Sequence, residues 1–501
     1  MGRPKDASGL RQEDAPFLAA LAAYADEGPV PFHTPGHKQG RGAPNGWRER
    51  IGLGALSLDV SDVLTSPRFD DSWPAARAAA EGLAARAFGA DYCFFLANGT
   101  TSGVHAMLLA AVPGRQVIVA RNSHRSVAGG LILAGARPVF VEPEFDPASG
   151  IPLPPRLDAW RKAMDENPDA AAVLVTYPTY EGVAFDLASL ARDAQSRGMA
   201  VLVDEAHGAH LGLHPALPPP ALACGADISA QSPHKLLGAL TQGSWLLGRD
   251  NAVPHQAVET VLALLETTSP SALILASLDA ARRQAAIEGK ALLDKALAIA
   301  SEVREAVAGI EGLACWRPDR SGLRLDETKV VISVADLGMS GFTAARRLRA
   351  LGVQVEMGGA GHVLALITLG DDRSTAGALV DALRRLSAET RQGGPGIVSR
   401  GRPRAGGSQR QPAWPPPGAQ RLSPRDAALG RGRITPLDQA AGHVAADVVC
   451  PYPPGVPVLW PGEEVSEEAV EYLQDILSRG GEVRGLRNQA GRPALRVADP
   501  G

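Results

Sequence analysis

The chain has 501 residues, room for about two or three domains with ample core. With 50 Lys and Arg against 54 Asp and Glu, a formal net charge of -4, nothing points to nucleic acid or a membrane surface as the main partner. Cys93, Cys224, Cys315 and Cys450 share no Cys-x-x-Cys spacing, which argues against a zinc site or a disulfide framework and fits a reducing cytoplasm. The opening Met1-Gly2-Arg3-Pro4-Lys5-Asp6 has no apolar signal core, and no run reaches the roughly 18 apolar residues of a membrane span. A soluble, cytoplasmic protein is the expectation.

Residues 10–27 set Phe17, Leu18, Leu21 and Tyr24 at helical spacing and stop at Gly28-Pro29. The next stretch, Pro31-Phe32-His33-Thr34-Pro35-Gly36-His37-Lys38-Gln39-Gly40-Arg41-Gly42, is too rich in proline and glycine for a regular element and reads as a rigid loop suited to ligand contact, or as a plain surface turn. A helix over about 75–88 leads to the strand Tyr92–Leu96, and a second helix runs to about Ala111. Between them, Gly99, Thr100, Thr101 and Ser102 put backbone N–H groups and hydroxyls at a helix start, the composition of a phosphate cradle. Strands follow at 117–120, 138–142 and 173–176. His124 stands just past the first of these, and Tyr177-Pro178-Thr179-Tyr180-Glu181-Gly182 past the last. Strand–helix alternation from about 90 to 250 is the doubly wound pattern of a largely parallel domain.

Met199-Ala200-Val201-Leu202-Val203 is the continuous apolar run of a buried parallel strand. Asp204 at its carboxyl end points to the crevice where α/β proteins bind ligands. After Glu205-Ala206-His207-Gly208 and one more strand comes Ser232-Pro233-His234-Lys235. A lysine among small residues, with a protonated His234 beside it, favours the free amine of Schiff-base chemistry, although a surface lysine after a strand would read alike. Lys235 with Asp204 is the pairing that pyridoxal 5'-phosphate requires: an amine for the aldehyde, and a carboxylate to keep the pyridine nitrogen protonated. Later, Thr267-Thr268-Ser269-Pro270 precedes a helix over about 271–287, and 352–357 and 363–368 read as strands. Residues 391–425, Arg-, Pro- and Gly-rich without an acid, read as a flexible linker. Thr435 is placed to cap a helix, and the five prolines of Pro451–Pro461 preclude helix and central strand.

The Asp-Glu-Ala-His and Ser-Pro-His-Lys blocks, the Phe-His-Thr-Pro-Gly-His-Lys loop and the Tyr-Pro-Pro-Gly-Val-Pro…Pro-Gly-Glu stretch together resemble the ornithine/lysine/arginine decarboxylases of pyridoxal-phosphate fold type I, in their shorter bacterial form. The resemblance spans about 10–390 and 420–495; residues 57–73 look like the segment that follows the family's first loop, and Glu181 departs from the family's pattern in its turn. It implies an α/β fold: an N-terminal helix and active-site loop (1–60), an aspartate aminotransferase-like large domain with a mostly parallel sheet (61–285), a small α/β domain (286–390), the linker (391–425) and a C-terminal α+β domain (426–501). It implies α-decarboxylation of arginine, lysine or ornithine to agmatine, cadaverine or putrescine, with arginine favoured by chain length, in a homodimer or higher homo-oligomer. By the same resemblance Lys235, Asp204, His124, His234 and His207 are the catalytic candidates, with His124 stacking on the cofactor ring. Ala206, the Gly99–Ser102 turn, Ser232, His234, and Thr268 and Ser269 of a dimer partner would contact the cofactor; no metal is expected. Which histidine returns the proton stays open, as does the head-group acid, for which Glu356, Glu463, Glu464 and Asp62 are candidates. Another fold-type I enzyme (aminotransferase, aldolase or racemase) and a non-catalytic regulator on this fold are the alternatives.

Overall fold

A computed structural model of the chain describes residues 9–61, 73–391 and 414–499. Asp62, Val63, Asp70, Asp71 and most of the expected linker lie outside the described residues. The chain divides into two compact units, Met1–Ala111 with Ala200–Leu293, and Val112–Met199 with Asp294–Gly501. The expected border at 285/286 falls inside a single 37-residue helix, Ala272–Ala308, in which Gly289 is the one glycine and no proline occurs. The two units part eight residues further on, at Leu293/Asp294, within the same helix.

Helix α1 (Pro16–Glu27) opens on proline and closes at Gly28, whose φ of 58° is the left-handed cap that glycine takes most readily. Its buried face is Phe17, Leu21 and Tyr24, three of the four residues the spacing selects. Next come α2 (Trp73–Phe88), β1 (Tyr92–Leu96) and α3 (Gly99–Ala111), then β2 (Gln116–Ala120), α4 (Arg125–Ala134), β3 (Arg137–Val141) and β4 (Ala172–Thr176). The lysine region is carried by β5 (Ala200–Glu205), β6 (Ile228–Gln231), the single turn α5 (Pro233–Leu236) and β7 (Ser244–Gly248), followed by α6 (His255–Leu265) and the long α7 (Ala272–Ala308).

In the first unit β5 and β6 are parallel, with Asp204 opposite Ala230, and β7 is antiparallel to both β6 and β1. It follows that β1, β5 and β6 run the same way and end at one edge. In the second unit β2 lies parallel to β3 on one side and to β4 on the other. Strands covered on both faces explain the unbroken apolar runs: Val117–Val119 and Val201–Val203 are fully buried.

The second unit continues with β8 (Lys329–Ser333), α8 (Gly341–Ala350), β9 (His362–Leu366) and α9 (Arg373–Arg391) around a core that includes Val330, Ile332, Leu348, Val363 and Leu383. The strand expected over 352–357 shrinks to Met357–Gly358. Gly352, at φ 87°, and the Val353 N–H bonded to Leu348 O close α8 with a turn that uses up those residues.

Further on are α10 (Pro424–Leu429), β10 (Gly432–Pro436), β11 (Cys450–Tyr452), α11 (Glu467–Ser478), β12 (Glu482–Arg484) and β13 (Arg492–Ala498). Thr435 caps no helix: it lies in β10 opposite Leu495, its neighbours paired with β13 on either side. Packing also begins earlier than 426. Trp414 stacks on Phe145 and meets Tyr472 edge-on, and Ser423 caps α10, so the chain from 414 is not linker.

Candidate active site

The common edge where β1, β5 and β6 end gathers most of the expected residues of the first unit. Asp204, 3 % exposed, has its carboxyl raised above the usual range by burial, against the opposing charge of Lys235 and the Ala206 N–H that Oδ1 accepts at 3.2 Å. Lys235 Nζ lies 3.0 Å from His207 Nε2. A proton can pass between an amine and an imidazole at that distance. His234 does not take this place. Neighbours on a helical turn do not face one another, and the His234 Nδ1–H donates instead to Gly243 O at 2.7 Å. Burial lowers its pKa, with Lys235 adding to that, so His234 is held neutral and is not the cation expected beside the lysine.

The cradle forms at the start of α3. Gly99, at φ 75°, lets the chain turn directly from β1 into the helix. Gly103 brings the helix close to β6, since a Cβ there would stand 3.1 Å from that of Ala230. The Thr100 hydroxyl bonds Ser232 and, at 2.8 Å, Ser244, while Ser244 donates to Gln231 O at 2.5 Å. Thr100 and Ser232 therefore tie the cradle to the lysine turn, and Ser102 Oγ donates to Gly99 O at 3.0 Å. Thr101 is exposed, and the first turn's backbone N–H groups, which have no acceptor within the helix, stand at the positive end of a 13-residue helix. Sequence reasoning missed Ser244 as the third member of the trio, although it stood in the small polar run after Lys235.

It also missed Glu205. Alternation along β5 sends Glu205 to the face opposite Asp204. There it accepts bonds from Ala221 N–H (2.9 Å), Ser229 Oγ (2.5 Å) and Gln231 Nε2 (2.8 Å). Burial still outweighs these donors and pushes its carboxyl up to about 7. A carboxyl whose folded pKa lies above its unfolded value near 4.5 binds more protons when folded, so the stability it contributes is present at low pH and lost as pH rises towards about 7. Glu205→Gln is expected to shrink the fall in melting temperature between pH 5 and pH 8, which thermal scans across that range would read.

Other expected residues lie elsewhere. Thr268 and Ser269 are exposed in the turn before α7, with Ser269 N–H on Thr267 Oγ1 at 3.2 Å. Among the described residues no hydrogen bond ties them to the lysine group. In the N-terminal loop the polar groups mainly hold one another: Lys38 Nζ donates to His33 O at 2.6 Å, His33 Nε2 meets Tyr24 Oη at 2.6 Å, and His37 Nε2 meets Asp59 at 3.1 Å.

His124 is in the second unit, where it caps α4 by accepting the Ser126 N–H at 3.2 Å on Nδ1. At the end of the neighbouring β4, Tyr180 bonds Glu356 through its hydroxyl, and burial with the Glu356 charge raises that phenol. Glu181 is buried, its carboxyl pushed up to about 7 by burial, with Lys329 opposing. Glu463 is likewise buried, in a bidentate pair with Arg121.

Among the described residues no helix is long and apolar enough to cross a membrane. The description "Orn/Lys/Arg decarboxylase, major domain" matches residues 15–375, and "Orn/Lys/Arg decarboxylase, C-terminal domain" matches 419–489. An arginine decarboxylase of Bacillus anthracis is 38% identical over 483 residues, 95% of this chain and 96% of that protein. An arginine decarboxylase of Bacillus subtilis is 37% identical over 483 residues, again 95% of this chain and 96% of that protein. Among solved structures, the lysine decarboxylase of Francisella novicida superposes with a TM-score of 0.82 at 20% identity, covering 97% of this chain and 81% of that one; at this identity the likeness speaks for the fold alone. With both regions of the family matched in order, across most of its length, the chain belongs to the Orn/Lys/Arg decarboxylase family.

Proposed function

We propose that the protein is a pyridoxal 5'-phosphate-dependent decarboxylase of a basic amino acid, arginine first. The reading rests above all on one observation: Lys235, the buried Asp204 and the open first turn of α3 stand at a single strand edge. The donor set suits the cofactor. Asp204 is a buried carboxylate with, among the described residues, a single N–H donor, and with a raised pKa, a group that a cationic ring N–H would satisfy. The α3 turn offers backbone N–H groups and a helix dipole to a dianionic phosphate. Bound there, the cofactor would supply an electron sink for the pair left at Cα when CO2 departs.

The chain's residues would do the rest. Lys235 would hold the aldehyde and give way to the substrate amine. His207, at 3.0 Å, would accept or return a proton at Nζ. Asp204 would keep a positive charge on the ring nitrogen. His124 would supply the stacking face, and Thr268 and Ser269 would reach a partner's phosphate in a homodimer. His234, neutral and bonded to Gly243 O, would position the lysine turn.

For the substrate's head group, Glu463 is committed to Arg121 and Glu464 is paired with Arg421 at 2.8 Å. Asp62 lies outside the described residues; of the described candidates, Glu356 is exposed and, among its described bonds, accepts only the Tyr180 hydroxyl, which makes it our choice for a ligand cation. A carboxylate meets a planar guanidinium through two N–H groups and an ammonium through one, which favours arginine. The close identity to proteins named arginine decarboxylase supports the same choice.

The test is CO2 release and amine product from the purified, cofactor-supplied protein offered arginine, lysine and ornithine separately, with Glu356→Gln alongside. Agmatine as main product, and a KM for arginine raised roughly 10-fold or more with a smaller change in kcat in the variant, is the expected outcome. A visible cofactor band without CO2 release from any of the three would replace decarboxylation by transamination or aldol cleavage. With no band, the enzyme reading falls.

A further inference from the structure

The stretch Arg121–Ser126, which ends in His124 and the start of α4, is tied at three points to the proline-rich segment after β11. Arg121, 1 % exposed, pairs both terminal nitrogens with Glu463, with Nη2 at 2.8 Å from Oε2, and Nη2 also reaches Val458 O at 3.3 Å. The Arg125 N–H donates to Gly455 O at 3.0 Å. Lastly, Gly455 stands close to one edge of the imidazole: a Cβ built there would stand 3.3 Å from both Cδ2 and Nε2 of His124 and 3.4 Å from Tyr452 Cδ2. Gly455 has a φ of 90°, so the turn closed by its N–H on Pro451 O at 3.0 Å suits glycine on two independent grounds.

From the opposite side His124 is fixed by α4, since Nδ1 accepts the Ser126 N–H at 3.2 Å and lies 2.9 Å from Ser126 Oγ. The ring is thus bonded on its Nδ1 side by its own helix, and on its Cδ2–Nε2 side it is flanked, with room for no added Cβ without a shift, by the backbone of a turn some 330 positions further along the chain. A backbone turn cannot swing away as a side chain can, so where the turn sits limits where the ring can go. The Arg121–Glu463 pair and the Arg125–Gly455 bond set where that is.

We propose that Gly455 and its turn are positioning elements of the catalytic machinery: the C-terminal region, through Gly455, sets the orientation of the His124 imidazole. The proposal rests on the cofactor reading above, in which His124 is the stacking residue. It gives the C-terminal region a task in the reaction, beyond completing the fold.

The test uses the full chain as wild type and as Gly455→Ala, His124→Ala and the double variant. Gly455→Asn joins them, because asparagine tolerates positive φ better than alanine while keeping the same Cβ contact. Gly442→Ala is the control: its φ is also left-handed, at 78°, but a Cβ there would meet nothing within 4 Å. Readouts are kcat and KM, the visible circular dichroism of the bound cofactor, and the melting temperature of the cofactor-free protein.

Gly455→Ala and Gly455→Asn are expected to lower kcat about tenfold and alter the visible dichroism, and Gly442→Ala to change neither. On the His124→Ala background, adding Gly455→Ala should cost less than about twofold, because the ring it displaces is gone. A full second loss on that background would overturn the proposal, as would equal kcat losses from Gly442→Ala and Gly455→Ala. So would a lowered melting temperature at Gly455 with unchanged dichroism. A wild type with no visible band would sink the cofactor reading and this inference together; a wild type with the band and independent losses would sink only this inference.

Discussion

Lys235→Ala is expected to abolish decarboxylation, by roughly 10³-fold or more, and to remove the visible band of the linked cofactor. The amine is the group that would hold the aldehyde, and it would also exchange protons with His207 at 3.0 Å, so one substitution removes two functions. The cofactor-free protein should melt close to wild type. Lys235 is only half-buried, and losing its described hydrogen bond to His207 costs about 1 kcal/mol, small against the 5–15 kcal/mol that hold a folded protein. A variant that melts normally yet neither binds cofactor visibly nor releases CO2 would mark the lysine as chemical. If it kept a tenth of the activity, Lys235 would not be the residue that carries the reaction.

Asp204→Asn should separate activity from stability in the opposite sense. Asparagine keeps an oxygen for the Ala206 N–H but cannot carry the negative charge that a protonated ring nitrogen would face. The loss in kcat should be roughly 10²- to 10³-fold, the scale of removing one preorganised electrostatic contact. In the cofactor-free protein the same change removes a buried charge. Because burial raises the Asp204 pKa, the folded state takes up a proton that the unfolded state has already lost. The carboxyl's contribution is therefore favourable at low pH and fades as pH rises. Cofactor-free Asp204→Asn should accordingly melt higher than wild type at pH 8, with the gap closing at acid pH. A variant less stable at every pH and fully active would show that Asp204 is structural.

These two residues were legible because their signals are local. An apolar run with an acid at its end, then a lysine after one more strand, needs no knowledge of what lies across the sheet. The same holds for α1, whose spacing and Gly28 stop fix both its buried face and its end. Locality also explains the errors. His234 looked like the partner of Lys235 because it precedes it, but a helical turn points adjacent side chains apart. Thr435 looked like a cap because a hydroxyl before an apolar run often is one, whereas pairing with β13 decided for strand. The helix expected to stop near 287 continues to Ala308, because a single glycine does not end a helix whose neighbours are good formers.

The sequence by itself determined the alternation of strands and helices, the turn at Gly99, the placing of Asp204 and Lys235 at strand ends, and the family. Each is written in residues within one or two elements of one another, where pleat, helical period and backbone φ leave few choices. Only the tertiary structure decided that Thr100 and Ser232 bond across 132 positions, that Tyr180 meets Glu356 across 176, and that Arg121 meets Glu463 across 342. It alone made His207 the neighbour of Lys235 and laid Gly455 on His124. Such pairs are chosen by which strands lie side by side and which loops close over them. That choice is made by burying the whole core at once, and no local spacing records it.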